Sequence, residues 1–153
     1  MKTNVMRLLD NKSIPYKSYT YEGVISGLDV AEYLGENPNQ VFKTLVTISS
    51  SKKYYVFLVP VSSELDLKKA ASCVNEKSVE MIKSKDLLSL TGYIHGGCSP
   101  LGMKKSFKTI IDKSAKEFDS ILFSAGKIGY QVEVNINDLN KILDFELYDI
   151  KEE

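Results

Sequence analysis

The sequence predicts an α+β domain. Three observations carry that prediction: β-branched and aromatic runs recur along the whole chain, the helical spacings between them are short, and strands and helices do not alternate regularly enough for a doubly wound parallel sheet. Asn4 offers a cap for a first helix whose Val5, Leu8 and Leu9 share one face. Pro15 ends that pattern, and Tyr16 to Tyr21 reads as a strand. Ser26 is a cap for a helix through Leu34, which Gly35 stops. Asn37-Pro38 repeats the cap-then-proline start of a helix.

Lys43–Ile48 and Tyr54–Val59 flank a Ser/Lys turn and predict a hairpin. Leu67, Ala70, Ala71 and Val74 are spaced for one helical face, with a brief strand to follow near Val79–Met81. Ser84 to Leu90 reads as a helix ended by Gly92. Residues 92–102 then form the densest turn signal in the chain. Strands are expected near Lys108–Ile111, Ser120–Phe123 and Tyr130–Val134. A helix from Ile136 to Leu143, capped by Asn135, and a strand over Phe145–Tyr148 complete the order.

The 153 residues suit one domain, 1–153, with 43% hydrophobic and 26% charged residues, values that exclude a wholly disordered chain. No apolar run approaches the roughly 20 residues of a membrane helix, and the first residues lack a signal-peptide core. No membrane association is expected. Two cysteines and one histidine make neither a disulfide framework nor a zinc set, so the expected setting is the cytoplasm, with reduced thiols and no metal or other cofactor.

The net charge is zero, yet it is unevenly spread. Residues 61–116 hold 10 basic and 6 acidic side chains, whereas residues 117–153 hold 3 and 9. A partner feels the local face within a Debye length of roughly 10 Å, so a polyanion is compatible with the neutral sum.

A serine-hydrolase triad would need His95 as its base, and no Gly-x-Ser-x-Gly elbow exists to present a serine. Cys98 lies three residues from His95 and reads either as a nucleophile or as a small packed thiol. Gly96-Gly97 brings bare N–H groups near a ligand, a fit for a carbonyl oxygen that becomes negative in acyl transfer; the alternative is an ordinary turn. Lys43, between Phe42 and the apolar run of its strand, needs a carboxylate or phosphate partner if it is not simply solvated. Lys104, Lys105 and Lys108 follow the glycine loop and could contact phosphates or only solvent. Ser124 to Gly129 is a second glycine turn without Walker spacing, and Tyr21 or Tyr93 could stack on a base or simply pack.

Taken in order, Gln40-Val41-Phe42-Lys43-Thr44-Leu45, Leu65-Asp66-Leu67-Lys68-Lys69, the run from Thr91 to Lys105, Thr109-Ile110-Ile111-Asp112 and Ser124 to Gly129 resemble the YbaK family. These are free-standing aminoacyl-tRNA editing proteins related to the editing insertion of bacterial prolyl-tRNA synthetase. The resemblance implies a mixed, mostly antiparallel curved sheet with surrounding helices. It also implies a trans-editing deacylase that clears Cys-tRNA(Pro), and by extension Cys-tRNA(Cys), through attack of the substrate's own thiol on its ester. By the same resemblance Lys43 engages the terminal phosphate, Gly96 and Gly97 give backbone contacts to the ester, and Tyr21, Thr44, Pro100, Ser124 and Gln131 line the substrate pocket. The partners implied are the acylated 3′ end of a mischarged tRNA and prolyl-tRNA synthetase.

Two positions depart from the family pattern. Gln131 stands where the best-known members have an aspartate, and Ser26 falls near the place of a pocket phenylalanine. Glutamine keeps hydrogen-bonding capacity and loses the charge. These departures leave two alternatives: a deacylase for another small residue, such as Ala-tRNA(Pro), or a non-catalytic tRNA-binding module of the same fold.

Overall fold

In a computed structural model that describes residues 1–24 and 26–153, the chain is an α+β fold built on two sheets. Its elements are α1 (Asn4–Asn11), β1 (Tyr16–Thr20), α2 (Gly27–Leu34), β2 (Phe42–Ser49), β3 (Tyr54–Pro60), α3 (Leu67–Cys73) and β4 (Val79–Met81). They continue with α4 (Ser84–Thr91), β5 (Lys108–Asp112), a 3-10 turn (Lys113–Glu117), β6 (Ser120–Ser124), β7 (Tyr130–Asn135), α5 (Ile136–Leu139) and β8 (Glu146–Tyr148). Among the described residues no helix is long and apolar enough to cross a membrane.

The smaller sheet has the order β1-β7-β6, and the larger β4-β2-β3-β5-β8. Antiparallel pairing predominates, while β3–β5 and β5–β8 are parallel. The mixed, mostly antiparallel sheet implied by the family resemblance is present as two parts, and a parallel bridge, Val41 to Leu122, joins them at the start of β2. That junction sets the site, because it lays β2 beside the ends of β6 and β7.

β3 explains why the larger sheet is closed on both faces. Val56 and Leu58 enter a core with α1 and the small sheet, whereas Tyr55, Phe57 and Val59 enter a second core with α3 and Ile150. A strand covered on both sides reads as a continuous apolar run. Burying each such side chain contributes roughly 1.5–3 kcal/mol.

Three local expectations differ from the structure. The cap of α1 is Thr3, whose hydroxyl accepts from the Met6 N–H, so Asn4 is already inside the helix. Asn37-Pro38 starts a turn and no helix: the Asn37 side chain accepts from the Asn39 N–H, and the Val41 N–H returns to the Asn37 carbonyl as the chain enters the bridge to Leu122. α5 stops at Leu139 rather than Leu143, because Ile142 and Leu143 turn inward to pack against the first core. The cap at Ser26 is as expected, its hydroxyl accepting from the Asp29 N–H at 3.1 Å.

The acidic C-terminal region is not a separate tail. Lys69 meets Asp149 at 3.1 Å and Glu153 at 3.4 Å, and Lys108 meets Glu146 at 3.3 Å. Two lysines of the basic middle are therefore neutralised by the segment that follows them. Asp112, buried at the end of β5, fastens the same segment by accepting from the N–H groups of Ile150 and Ser114.

Candidate active site

Where β2 passes the ends of β6 and β7, a cleft of about 430 Å³ opens beside the start of α2 and the glycine loop. Tyr21, Lys43, Thr44, Gly96, Ser124 and Gln131, all sequence-predicted, line it together. Ser124 and Gln131 face one another across the β6–β7 pairing. Tyr21 is buried at the end of β1, and its N–H donates to the Gly129 carbonyl, which docks the second glycine turn onto the cleft wall.

Gly97 and Pro100 lie in the buried stem of the loop and do not line the cleft. The Gly97 N–H is spent within the turn, donating to the Ile94 carbonyl at 3.0 Å, so Gly96 is the member of the pair that reaches the cleft. Gly97 has a steric reason to be glycine. A Cβ there would sit 3.1 Å from the backbone nitrogen of Ile128, pushing the two glycine turns apart. Gly126 is fixed by both conformation and space, with φ at +90° and Tyr93 Cε1 2.9 Å from the position of a Cβ. Tyr93 is accordingly a wedge between the loops, its hydroxyl donating to the Leu101 carbonyl.

Two buried oxygens in the cleft wall have no protein partner: Thr44 Oγ1 and Gln131 Oε1. A polar atom held this way costs about 1–3 kcal/mol unless something else satisfies it. Both residues line the cleft, while the two oxygens themselves are buried within its wall. Ser124 Oγ, by contrast, accepts from the Gly126 N–H, and its fold role is to close the second turn. Ser26 also lines the cleft, with its hydroxyl committed to capping α2.

Lys43 stands at the cleft with a partner that the sequence did not reveal. Its Nζ is 3.2 Å from Glu64 Oε1. Glu64 lies in the segment after β3, and nothing in its immediate sequence marks it; only the β2–β3 hairpin brings it across from Lys43. With the Glu64 side chain 74% exposed, the pair contributes about 0–1 kcal/mol to stability. Lys108, a candidate phosphate contact, is instead on β5 with Glu146, and Lys104 packs its side chain against Gly92.

Cys98 is a packed thiol. It lines the cleft yet is buried in the first core, and burial pushes its pKa up to about 12, which the nearby Thr91 side chain offsets only in part. A nucleophilic cysteine needs the opposite shift, toward the thiolate at neutral pH. His95 lines the cleft from an exposed loop position. What the described lining residues offer is shape, polar side chains, loop backbone and one lysine, which is equipment for binding rather than an activated nucleophile.

Comparison with known proteins gives a consistent picture. The family model described as the aminoacyl-tRNA editing domain matches residues 24–142. A protein of Enterococcus faecalis that carries the provisional name Cys-tRNA(Pro)/Cys-tRNA(Cys) deacylase EbsC is 46% identical over 136 residues, covering 87% of this chain and 83% of that protein. The proline–tRNA ligase of Fervidobacterium nodosum is 28% identical over 131 residues, which are 85% of this chain and 22% of the ligase. Among solved structures, one described provisionally as a trans-editing enzyme for prolyl tRNA synthetase shares the fold with a TM-score of 0.85, at 19% identity and 100% coverage of both chains.

Proposed function

Because the chain belongs to the aminoacyl-tRNA editing domain family, we propose that it is a trans-editing deacylase that clears cysteine from mischarged tRNA, Cys-tRNA(Pro) first and Cys-tRNA(Cys) second. The observation that carries this reading is the cleft itself. It gathers Lys43, Thr44 and Gln131 around one space, while Cys98, which also lines the cleft, is buried and has its pKa pushed up to about 12.

In this reading Lys43 holds the phosphate of the terminal nucleotide and so places the acylated ribose at the cleft mouth. The loop backbone at Gly96 faces the ester, where an N–H would stabilise the carbonyl oxygen as it becomes negative. Thr44 and Gln131 take the donor groups of the aminoacyl moiety. The substrate sulfur attacks its own carbonyl carbon: a C–S bond forms, the C–O bond to the ribose breaks, and the thiol proton ends on the released ribose hydroxyl. The cyclic thioester leaves. Holding sulfur and carbonyl in attacking geometry can supply on the order of 7–11 kcal/mol in favourable intramolecular cases. The protein then needs no nucleophile of its own, in keeping with Cys98.

Gln131 favours a second reading within the same chemistry. It places an uncharged amide where a carboxylate would assist a thiol, which is compatible with alanine or another small residue being released to water. We propose further that the domain 1–153 acts on tRNA either alone or docked on prolyl-tRNA synthetase, the synthetase then supplying tRNA selectivity. Parallel assays on Cys-tRNA(Pro), Ser-tRNA(Pro) and Ala-tRNA(Pro) test the reading. Loss of the cysteinyl ester with the seryl ester spared supports thiol-assisted release. Equal loss of seryl and cysteinyl esters removes that mechanism, and preferential loss of the alanyl ester favours the second reading.

A further inference from the structure

The one lysine among the described residues that line the cleft already has an anionic partner, Glu64. Glu64 is also the only carboxylate among the described residues that line the cleft. Its backbone is fixed, since its carbonyl accepts from the Glu152 N–H and the next residue, Leu65, bridges to Lys151. Its side chain is mostly exposed, and its hydrogen bond to Lys43 is the contact it makes at the cleft. The carboxylate is thus a weakly held group on a rigid stem, placed where an incoming phosphate oxygen would have to go.

We propose that Glu64 is an exchangeable counter-ion for Lys43, which occupies the phosphate subsite in the free protein and is displaced by the terminal phosphodiester of the acylated strand. The inference rests on the reading of Lys43 as a phosphate contact and deepens it. A lysine on a strand beside an apolar cleft loses solvation, and a carboxylate partner holds its head group at the mouth until substrate arrives. When the phosphate binds, one anion replaces the other on Nζ, and the Glu64 head group turns to water. The remaining negative charge nearby opposes the phosphate and weakens its hold. Glu64 therefore limits affinity and speeds release of the cleared tRNA, which suits an editing protein that must let go of correctly charged species. Glu64 is a positioning residue in this scheme, acting through Lys43.

The test compares wild type, Glu64→Gln, Glu64→Asp and Lys43→Ala in two measurements: binding of a fluorescent single-stranded RNA ending in CCA, and steady-state deacylation of Cys-tRNA(Pro). Losing an exposed pair and one repelling charge should tighten Glu64→Gln binding roughly 3- to 5-fold and lower KM in proportion, with the change in KM rather than kcat. The plot of log affinity against log salt should steepen by roughly 0.7 for the added effective charge. Glu64→Asp, which keeps the charge, should fall between wild type and Glu64→Gln. If Lys43→Ala weakens RNA binding while Glu64→Gln leaves affinity and salt slope as in wild type, the counter-ion role is wrong and the phosphate role of Lys43 stands. A fall in kcat for Glu64→Gln at unchanged affinity also overturns the proposal, since it would make Glu64 necessary to the chemical step. If Lys43→Ala leaves RNA binding unchanged, both readings fall.

Discussion

Cys98 offers the sharpest check on how the site works, because its burial separates a substrate-borne nucleophile from an enzyme-borne one. Burial pushes its pKa up to about 12, from 9.0 for an ordinary thiol. At pH 8 a difference of that size lowers the thiolate population by roughly a thousandfold relative to a free cysteine. Alkylation with iodoacetamide, followed peptide by peptide in a mass spectrometer, reads thiolate population and access together, both of which burial lowers. Cys98 should label orders of magnitude more slowly in the native protein than in urea. Cys73, less deeply buried, is the internal comparison. Cys98→Ala should cost about 1 kcal/mol of stability through lost packing and should retain deacylation. Rapid native labelling of Cys98, or a folded Cys98→Ala protein without activity, would refute the reasoning and return the nucleophile to the enzyme.

Other expectations follow from the same geometry. Burial raises both Cys98 and Tyr93, each to about 12, so between the unfolded and folded pKa values the native state keeps protons that the unfolded state has lost. Stability is then complete below about pH 9 and falls as pH rises toward 12; chemical denaturation at pH 8 and pH 10.5 checks the sign, and a higher midpoint at pH 10.5 contradicts it. Gln131→Met removes an unsatisfied buried oxygen, so it should leave the melting temperature equal or higher while lowering deacylation roughly tenfold or more. A clear loss of stability with activity kept would show that the oxygen has a structural partner. Gly97→Ala should loosen the contact between the glycine turns and lower activity along with a stability loss of about 1–3 kcal/mol, read by thermal melting and single-turnover rates. Asp112→Ala leaves two N–H groups without their acceptor and should cost about 2–3 kcal/mol in urea unfolding while leaving kcat intact.

The sequence was most legible where local chemistry decides structure. Ser26 and Gly35 bound α2 because a cap and a left-handed glycine are encoded in single residues. The β2–β3 hairpin follows from apolar runs about a turn. The cluster of Tyr21, Lys43, Thr44, Gly96, Ser124 and Gln131 was legible only through resemblance, since its members lie up to 110 positions apart and no periodicity joins them. Pairings set by tertiary topology were not legible. Glu64 faces Lys43 only once β3 has folded back, and Glu146 meets Lys108 only across a parallel β5–β8 pair. The Asn37-Pro38 signal is ambiguous because helix cap and turn use the same residues, and the bridge at Val41 decides between them.

Single-turnover deacylation of Cys-tRNA(Pro) by the wild-type protein and by Lys43→Ala, with circular dichroism to confirm that both are folded, tests the role of the cleft most directly. The wild-type protein should clear the cysteinyl ester well above the buffer rate. Lys43→Ala should be slower by roughly 100-fold, through loss of a charge-assisted phosphate contact that positions the ester. Ester loss at the buffer rate with wild-type protein, or at the wild-type rate with Lys43→Ala, would contradict the account.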